Sequence, residues 1–293
     1  MSKILVTGAT GHLGAAVTNF LLEKTDVTNI SILVRDPAKA VKFGERGVKV
    51  EVGDYDNTEA LTKALTGIDK LYLVSGLDAN RGAQHENVIN TAKKAGVKHI
   101  IYTSFQHKTE GGHPALAFIA EGHLYTEKVL KASGVTYTIL QHGLYAEVIP
   151  MFAGENLLQS KTIFLPAGEG KTAFATRENM AEGGAVILLD EAGKFDNQTI
   201  ELAGSETVSW SDIATVISSN VGETISYISP SVVDFTSALT GAGVPAEIVG
   251  MSAGFSQAIN DGEFDAVNGK LEDLLGRKLT TVADFLAEIY VKK

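Results

Sequence analysis

Up to about Leu140 the chain repeats one rhythm: a short run of consecutive apolar residues, a turn, then a stretch with apolar positions at helical spacing. The runs fall at Lys3–Thr7, Ile30–Val34, Val48–Val52, Lys70–Val74, His99–Thr103 and Thr136–Leu140. They are apolar on successive rather than alternate positions, the signature of strands buried on both faces in a parallel sheet. Between them, Leu13–Glu23 carries Leu13, Val17, Phe20, Leu21 and Leu22, and Thr58–Leu65, Ala83–Ala95 and Phe118–Ala132 read as helices in the same way. Gly67, Gly96 and Gly134 stand just past three of these segments, where a left-handed terminating residue is favoured. Alternating strands and helices predict an α/β fold, a Rossmann-type doubly wound parallel sheet with right-handed crossovers.

Beyond Leu140 the rhythm breaks. Helices are expected over Glu147–Leu158, Glu178–Leu189, Ser211–Ser219, Val232–Gly241, Ala246–Asn260 and Thr281–Val291, with short strands at Thr162–Leu165, Thr199–Leu202 and Thr224–Ile228. This half reads as a smaller, mostly helical C-terminal lobe over the C-terminal edge of the sheet. Residues 1–145 then form the nucleotide-binding domain and 146–293 the smaller substrate lobe. No Pro-, Gly- or Ser-rich linker separates them, so the chain is expected to cross between lobes more than once.

The first turn carries the chemistry. Val6-Thr7-Gly8-Ala9-Thr10-Gly11-His12-Leu13-Gly14 ends a strand and opens a helix. Gly8 allows the tight turn, Gly11 lets a pyrophosphate approach the backbone, and Gly14 lets the helix pack against the sheet. The helix start then offers N–H groups and a positive dipole end to phosphate oxygens, so Gly8, Thr10, Gly11, His12, Leu13 and Gly14 are expected to hold a dinucleotide. Arg35 follows the second strand, where an acid would grip the 2′-hydroxyl of NAD. An arginine there pairs instead with a 2′-phosphate, which favours NADP(H), unless it is simply a solvated charge. Asp36-Pro37 reads as the cap and first turn of the next helical segment. Val74, Ser75 and Gly76 end the fourth strand, at the edge where ligands lie in doubly wound sheets.

The GxxGxxG spacing resembles the short-chain dehydrogenase/reductase superfamily. That resemblance implies an adenine-flanking acid at Asp54, which could equally cap a turn. It also implies a catalytic Tyr-x-x-x-Lys pair on the helix after the fifth strand. Tyr102-Thr103-Ser104 matches the superfamily's fifth strand and Glu127 its helical glutamate, but the lysine position is then His123 and the tyrosine position Ile119. The pair is absent. With the turn VTGATGHLG, the arginine in ILVRDPAKA, the strand HIIYTSFQH and the segment GHLYTEKVLKASGVTYTIL, this departure makes the chain resemble the NmrA-like atypical reductases, above all their bacterial quinone- and dye-reducing branch.

The resemblance implies a nicotinamide near Ser104, Phe105 and Gln141-His142-Gly143-Leu144-Tyr145. Gln141 becomes a cofactor contact and His142 either orients the carboxamide or is structural. His123 touches ribose or acceptor, Tyr145 offers a ring and a hydroxyl to a flat acceptor or packs in a core, and Arg177 closes on the ligand or lies on the surface. Relatives carry Arg-Asn-Gly or Arg-Pro-Gly where this chain has Gln141-His142-Gly143. Loss of the acid pair suits a quinone, which takes hydride to give a stabilised phenolate-type anion, or a cationic dye, which becomes neutral. The function expected is NADPH-dependent reduction of such an acceptor. The competing reading is an NADP(H)-sensing regulator of the NmrA type acting through protein partners; a sugar-nucleotide epimerase is weakened by the missing tyrosine.

Bulk properties narrow the classes. A formal net charge of −10 across 293 residues disfavours nucleic acid, and Lys93-Lys94 is no basic run but a helix face. The absence of cysteine removes disulfides, thiolate ligands and thiol nucleophiles. Ile4-Leu5-Val6 is too short for the apolar stretch of a signal peptide, so a cytoplasmic protein without membrane contact is expected, with a homodimer left open. The Gln106–Leu116 loop, polar with two glycines, is a candidate lid, and its His107 and His113 read as solvated rather than as metal ligands; no metal site is expected.

Overall fold

The computed structural model describes residues 1–292 and divides into two compact units. The first comprises Met1–Phe105, Glu121–His142 and Arg177–Leu202; the second comprises Gln106–Ala120, Gly143–Thr176 and Ala203 onward.

The first unit is built on strands β1 (Ile4–Thr7), β2 (Ile30–Val34), β3 (Lys49–Val52), β4 (Lys70–Leu73), β5 (His99–Phe105) and β6 (Thr136–His142). They pair in parallel, with β1 at the centre between β2 and β4. The linking helices are α1 (His12–Lys24), α2 (Val41–Glu45), α3 (Thr58–Leu65), α4 (Arg81–Ala95) and α5 (Ala117–Ala132). One core gathers Leu5, Leu71 and Ile100 from the sheet with Leu61, Val88, Ile89 and Leu130 from α3, α4 and α5. This is the Rossmann-type sheet that the apolar runs predict. The run at Val48–Val52 differs in one respect: β3 is an edge strand, so Val52 is exposed, while Glu51 is buried and paired with Lys49 at 2.8 Å.

Past β6 the sequence reading needs correcting. Glu147–Leu158 is not one helix. A 3₁₀ turn at Ala146–Val148 leads into α6 (Ile149–Ala153), and α7 (Leu157–Ser160) follows a break at Gly154, whose φ of +96° no continuing helix accepts. After short strands β7 (Thr162–Phe164) and β8 (Lys171–Thr172), the chain returns to the first unit with α8 (Arg177–Leu189) and β9 (Gln198–Leu202). Residues 177–202 thus belong to the first unit although they follow residue 145. β9 adds to β6 in parallel, completing the order β3-β2-β1-β4-β5-β6-β9, and α8 packs beside α1. Two details tie α8 to the sheet. A Cβ at Gly184 would lie 2.5 Å from the Tyr72 hydroxyl, so only glycine allows this approach. Lys70, buried in β4, donates its ammonium to the carbonyls of Leu188 and Asp190 at the end of the helix, where a cation is favoured.

The second unit continues with β10 (Val208–Ser209), α9 (Trp210–Val221), β11 (Ser226–Ile228), α10 (Val232–Gly241), α11 (Ala246–Asn260), α12 (Lys270–Leu275) and α13 (Val282–Ile289). β7 pairs with β11 and β8 with β10 as two small sheets. The buried Trp210 ring meets Phe152 and Phe174 edge-on at 6.2 and 6.5 Å. α9 opens with a capping box in which Ser209 and Asp212 each satisfy the other's backbone N–H. Among the described residues, no helix is long and apolar enough to cross a membrane.

Candidate active site

The glycine turn has the shape its sequence predicts. Gly8 sits at φ +61°, and the Gly11 N–H donates back to its carbonyl at 2.9 Å. A Cβ on Gly14 would lie 2.4 Å from the Gly8 carbonyl oxygen, so the first turn of α1 rests directly on the loop. Gly11 caps α1 with no side-chain hydrogen bond, and the first turn holds no acidic residue. Thr10, Gly11 and His12 are exposed while Leu13 and Gly14 are buried, so the rim faces outward on a fixed base. This fits a pyrophosphate: the amides of a helix start are presented with no protein anion competing for them.

Arg35 is exposed at the end of β2, and its charge acts on the phenol of Tyr55. Asp36 caps the next turn by accepting from Ala38 N–H at 3.0 Å, which leaves Arg35 the charged side chain at the strand's end with no capping task. Asp54 accepts from Asp56 and Asn57 N–H through one oxygen, Oδ1, so the turn-capping alternative is realised in the structure. Tyr55 between them is a residue the sequence reading missed. Its hydroxyl lies 2.6 Å from Thr7 Oγ1 and 2.8 Å from the Val74 carbonyl, joining the ends of β1 and β4, and burial pushes its pKa up to about 12.

Val74, Ser75 and Gly76 are half-buried and fixed from below. Val74 N–H donates to Thr7 Oγ1 and Ser75 N–H to Thr103 Oγ1, both at 2.9 Å. Gly76 N–H donates to His85 Nε2 at 3.0 Å, and His85 Nδ1 meets Thr126 Oγ1 at 2.9 Å. Accepting on Nε2 makes His85 the neutral Nδ1–H tautomer, and burial, helped by the Arg81 cation, lowers its pKa to about 4.

Two further groups lie at the ends of β5 and β6. Ser104 and Gln141 are register partners, and both donate to Glu127 Oε1, at 2.7 and 3.1 Å. Glu127 is buried on α5, with Lys131 one turn on at 3.4 Å from its other oxygen. On the same helix, four residues earlier, His123 is buried with Nδ1 2.8 Å from the Tyr102 hydroxyl. Its ring stacks on Phe105 at 5.9 Å and 26°. His142 is buried in β6 opposite Phe105 and Leu202, and burial lowers its pKa to about 4, which keeps it neutral near pH 7.

The NmrA-like family model matches residues 1–286. The chain belongs to the NmrA-like family. It is 35% identical to quinone oxidoreductase 2 of Escherichia coli K12 over 288 residues, covering 98% of each chain. The crystal structure of that protein complexed with NADPH superposes with a TM-score of 0.91, covering 98% of this chain and 99% of that one. The Citrobacter sp. triphenylmethane reductase complexed with NADP(H) matches with a TM-score of 0.89 at 32% identity, covering 98% of this chain and all of that one. The NAD(P)H azoreductase of Xenophilus azovorans is 30% identical over 244 residues, 83% of this chain and 82% of its own.

In this NmrA-like chain the remaining expected residues fall in two places. Arg177 opens α8 in the first unit and is half-buried. Tyr145 belongs to the second unit, where it bridges to Ala175, and Ala146 N–H donates to the Ala175 carbonyl at 2.9 Å. The Gln106–Leu116 loop is held within that unit by the buried Glu263, which accepts from the Lys108 and Thr109 amides and from the Thr109 hydroxyl. His113, expected to be solvated, is buried: Nδ1 accepts from Ala115 N–H and Nε2 meets Asp261 at 3.2 Å. Among the described residues no group of His, Asp and Glu could hold a metal.

Proposed function

We propose that this chain is an NADPH-dependent reductase that passes hydride to a quinone or a similar flat, electron-poor acceptor. The observation that carries the reading is the uncapped start of α1 on its glycine loop, where a Cβ at position 14 would collide with the Gly8 carbonyl. The relatives named for quinone, dye and azo reduction support the acceptor class.

In this reading the backbone from Thr10 to Leu13 holds the pyrophosphate and Arg35 the 2′-phosphate. Asp54, whose Oδ2 is not used by the turn bonds to Asp56 and Asn57, lies by the adenine, with Val74, Ser75 and Gly76 under the adenosine and Arg177 on a phosphate or the acceptor. Ser104 and Gln141 face the nicotinamide, with the neutral His142 beneath the strand end. When bound, NADPH supplies the hydride. The chain's own residues hold the geometry: His85 fixes Gly76, and Glu127 takes the proton-bearing side of both Ser104 and Gln141, leaving their oxygens as acceptors. His123 contacts the ribose or the acceptor. With Ile119 in the tyrosine's place, that position supplies no proton, and an acceptor that becomes a phenolate-type anion or a neutral dye does not need one.

NADPH oxidation followed by its absorbance against benzoquinones, naphthoquinones and triphenylmethane dyes tests this. Turnover is expected with at least one class. Tight cofactor binding in a calorimeter with no turnover on any acceptor would replace the reductase by a cofactor-sensing regulator.

A further inference from the structure

We infer that Tyr102 is a positioning residue whose hydroxyl fixes His123 as the tautomer protonated on Nε2, so that this imidazole meets cofactor or acceptor as a hydrogen-bond donor. The consequence for catalysis rests on the proposed reductase reading; the tautomer itself belongs to the resting protein.

The geometry leaves the pair little freedom. Tyr102 is fully buried in the middle of β5, paired with Leu73 of β4 and Ile139 of β6. Its ring meets the His85 ring edge-on at 5.4 Å, and the His123 ring stacks on Phe105, so both planes are set by neighbours. The 2.8 Å contact between Tyr102 Oη and His123 Nδ1 holds one proton. A phenol is a far stronger acid than an imidazole N–H, and an unprotonated ring nitrogen is a better acceptor than a phenol oxygen. The Ser75 and Thr126 hydroxyls also reach Tyr102 Oη, but an unprotonated ring nitrogen is a better acceptor than either hydroxyl, so the phenol hydrogen points at Nδ1, which leaves the ring hydrogen on Nε2. Burial raises the tyrosine pKa, so the hydroxyl keeps its hydrogen in the working range.

His85 supplies an internal contrast. Its Nε2 accepts from Gly76, so its hydrogen is on Nδ1. The two histidines flanking Tyr102 carry opposite tautomers. Only one of them, His123, owes its tautomer to the phenol.

Long-range proton–nitrogen correlation spectra of the uniformly ¹⁵N-labelled protein read both directly, with His123 and His85 assigned by His123→Gln and His85→Gln. The wild-type spectrum is expected to show His123 protonated on Nε2 and His85 on Nδ1. Tyr102→Phe is expected to move the His123 nitrogens toward a tautomer average, to leave those of His85 in place, and to lower kcat several-fold. A wild-type His123 protonated on Nδ1, or one unaffected by Tyr102→Phe, overturns the inference. The wild-type spectrum decides alone should the variant not fold. Because it is recorded without acceptor, a failed turnover assay strikes the reductase reading and a wrong tautomer strikes only this one.

Discussion

Arg35 illustrates how a single side chain can be read from its place in the chain. It ends a buried strand, stands exposed, and its neighbour Asp36 is occupied with capping. A charge-assisted contact to a phosphate contributes about 1.5–3 kcal/mol. Arg35→Ala is therefore expected to weaken NADPH about ten- to a hundredfold while changing NADH binding little. Titration calorimetry with the two cofactors measures this, and an unchanged preference removes Arg35 from the site. Other single residues were not legible in the same way. Glu127 could be matched to a family position, but that it holds Ser104 and Gln141 depends on the β5–β6 register, which no local pattern encodes. Tyr55 bonds to Thr7 of β1 and to Val74, and His85 to Gly76 in the loop after β4, contacts that no local pattern encodes. Glu127→Ala removes the acceptor of the buried Ser104 hydroxyl, at about 1–3 kcal/mol, and one acceptor of the half-buried Gln141 amide, and is expected to lower kcat more than NADPH affinity. Comparable losses in both would make it a structural carboxylate only.

Elements repeating the strand–helix rhythm were legible because periodicity is a local property. The first six strands and their helices lie within a few residues of the apolar runs. That α8 and β9 belong with the first unit was not legible, because the rhythm had already broken and only tertiary pairing with β6 recruits them. The expected helix at Glu147–Leu158 failed on one backbone angle, that of Gly154. The steric role of Gly14 was legible in the spacing of the turn, whereas that of Gly184 against Tyr72 was not. Gly14→Ala forces a methyl to within 2.4 Å of the Gly8 carbonyl, and overpacking of this kind costs about 1–3 kcal/mol. The expected outcome is a lower Tm together with weakened NADPH binding; a variant that binds NADPH like wild type would show that α1 can shift without disturbing the loop.

For the molecule as a whole, buried neutral histidines set a response to acid. The pKa values of His85 and His142 are lowered to about 4, against about 6.5 for an unfolded histidine. Between those values the unfolded chain binds protons that the folded one refuses, so stability is complete above about pH 6.5 and falls as pH drops toward 4. Each histidine contributes up to about 1.4 kcal/mol per pH unit within that window. Urea unfolding from pH 7 to 5, above most carboxylate titration, measures it, and a flat profile refutes the assignment. The threefold entry of the chain into the first unit has its own consequence. A fragment stopped at residue 145 would carry the whole phosphate cradle yet strip β9 from β6, baring the amides and carbonyls of Thr138–His142 along an open margin. Such margins recruit other chains, so the cradle, though encoded at the very front of the polypeptide, has the β6 margin covered only once residue 202 has been made.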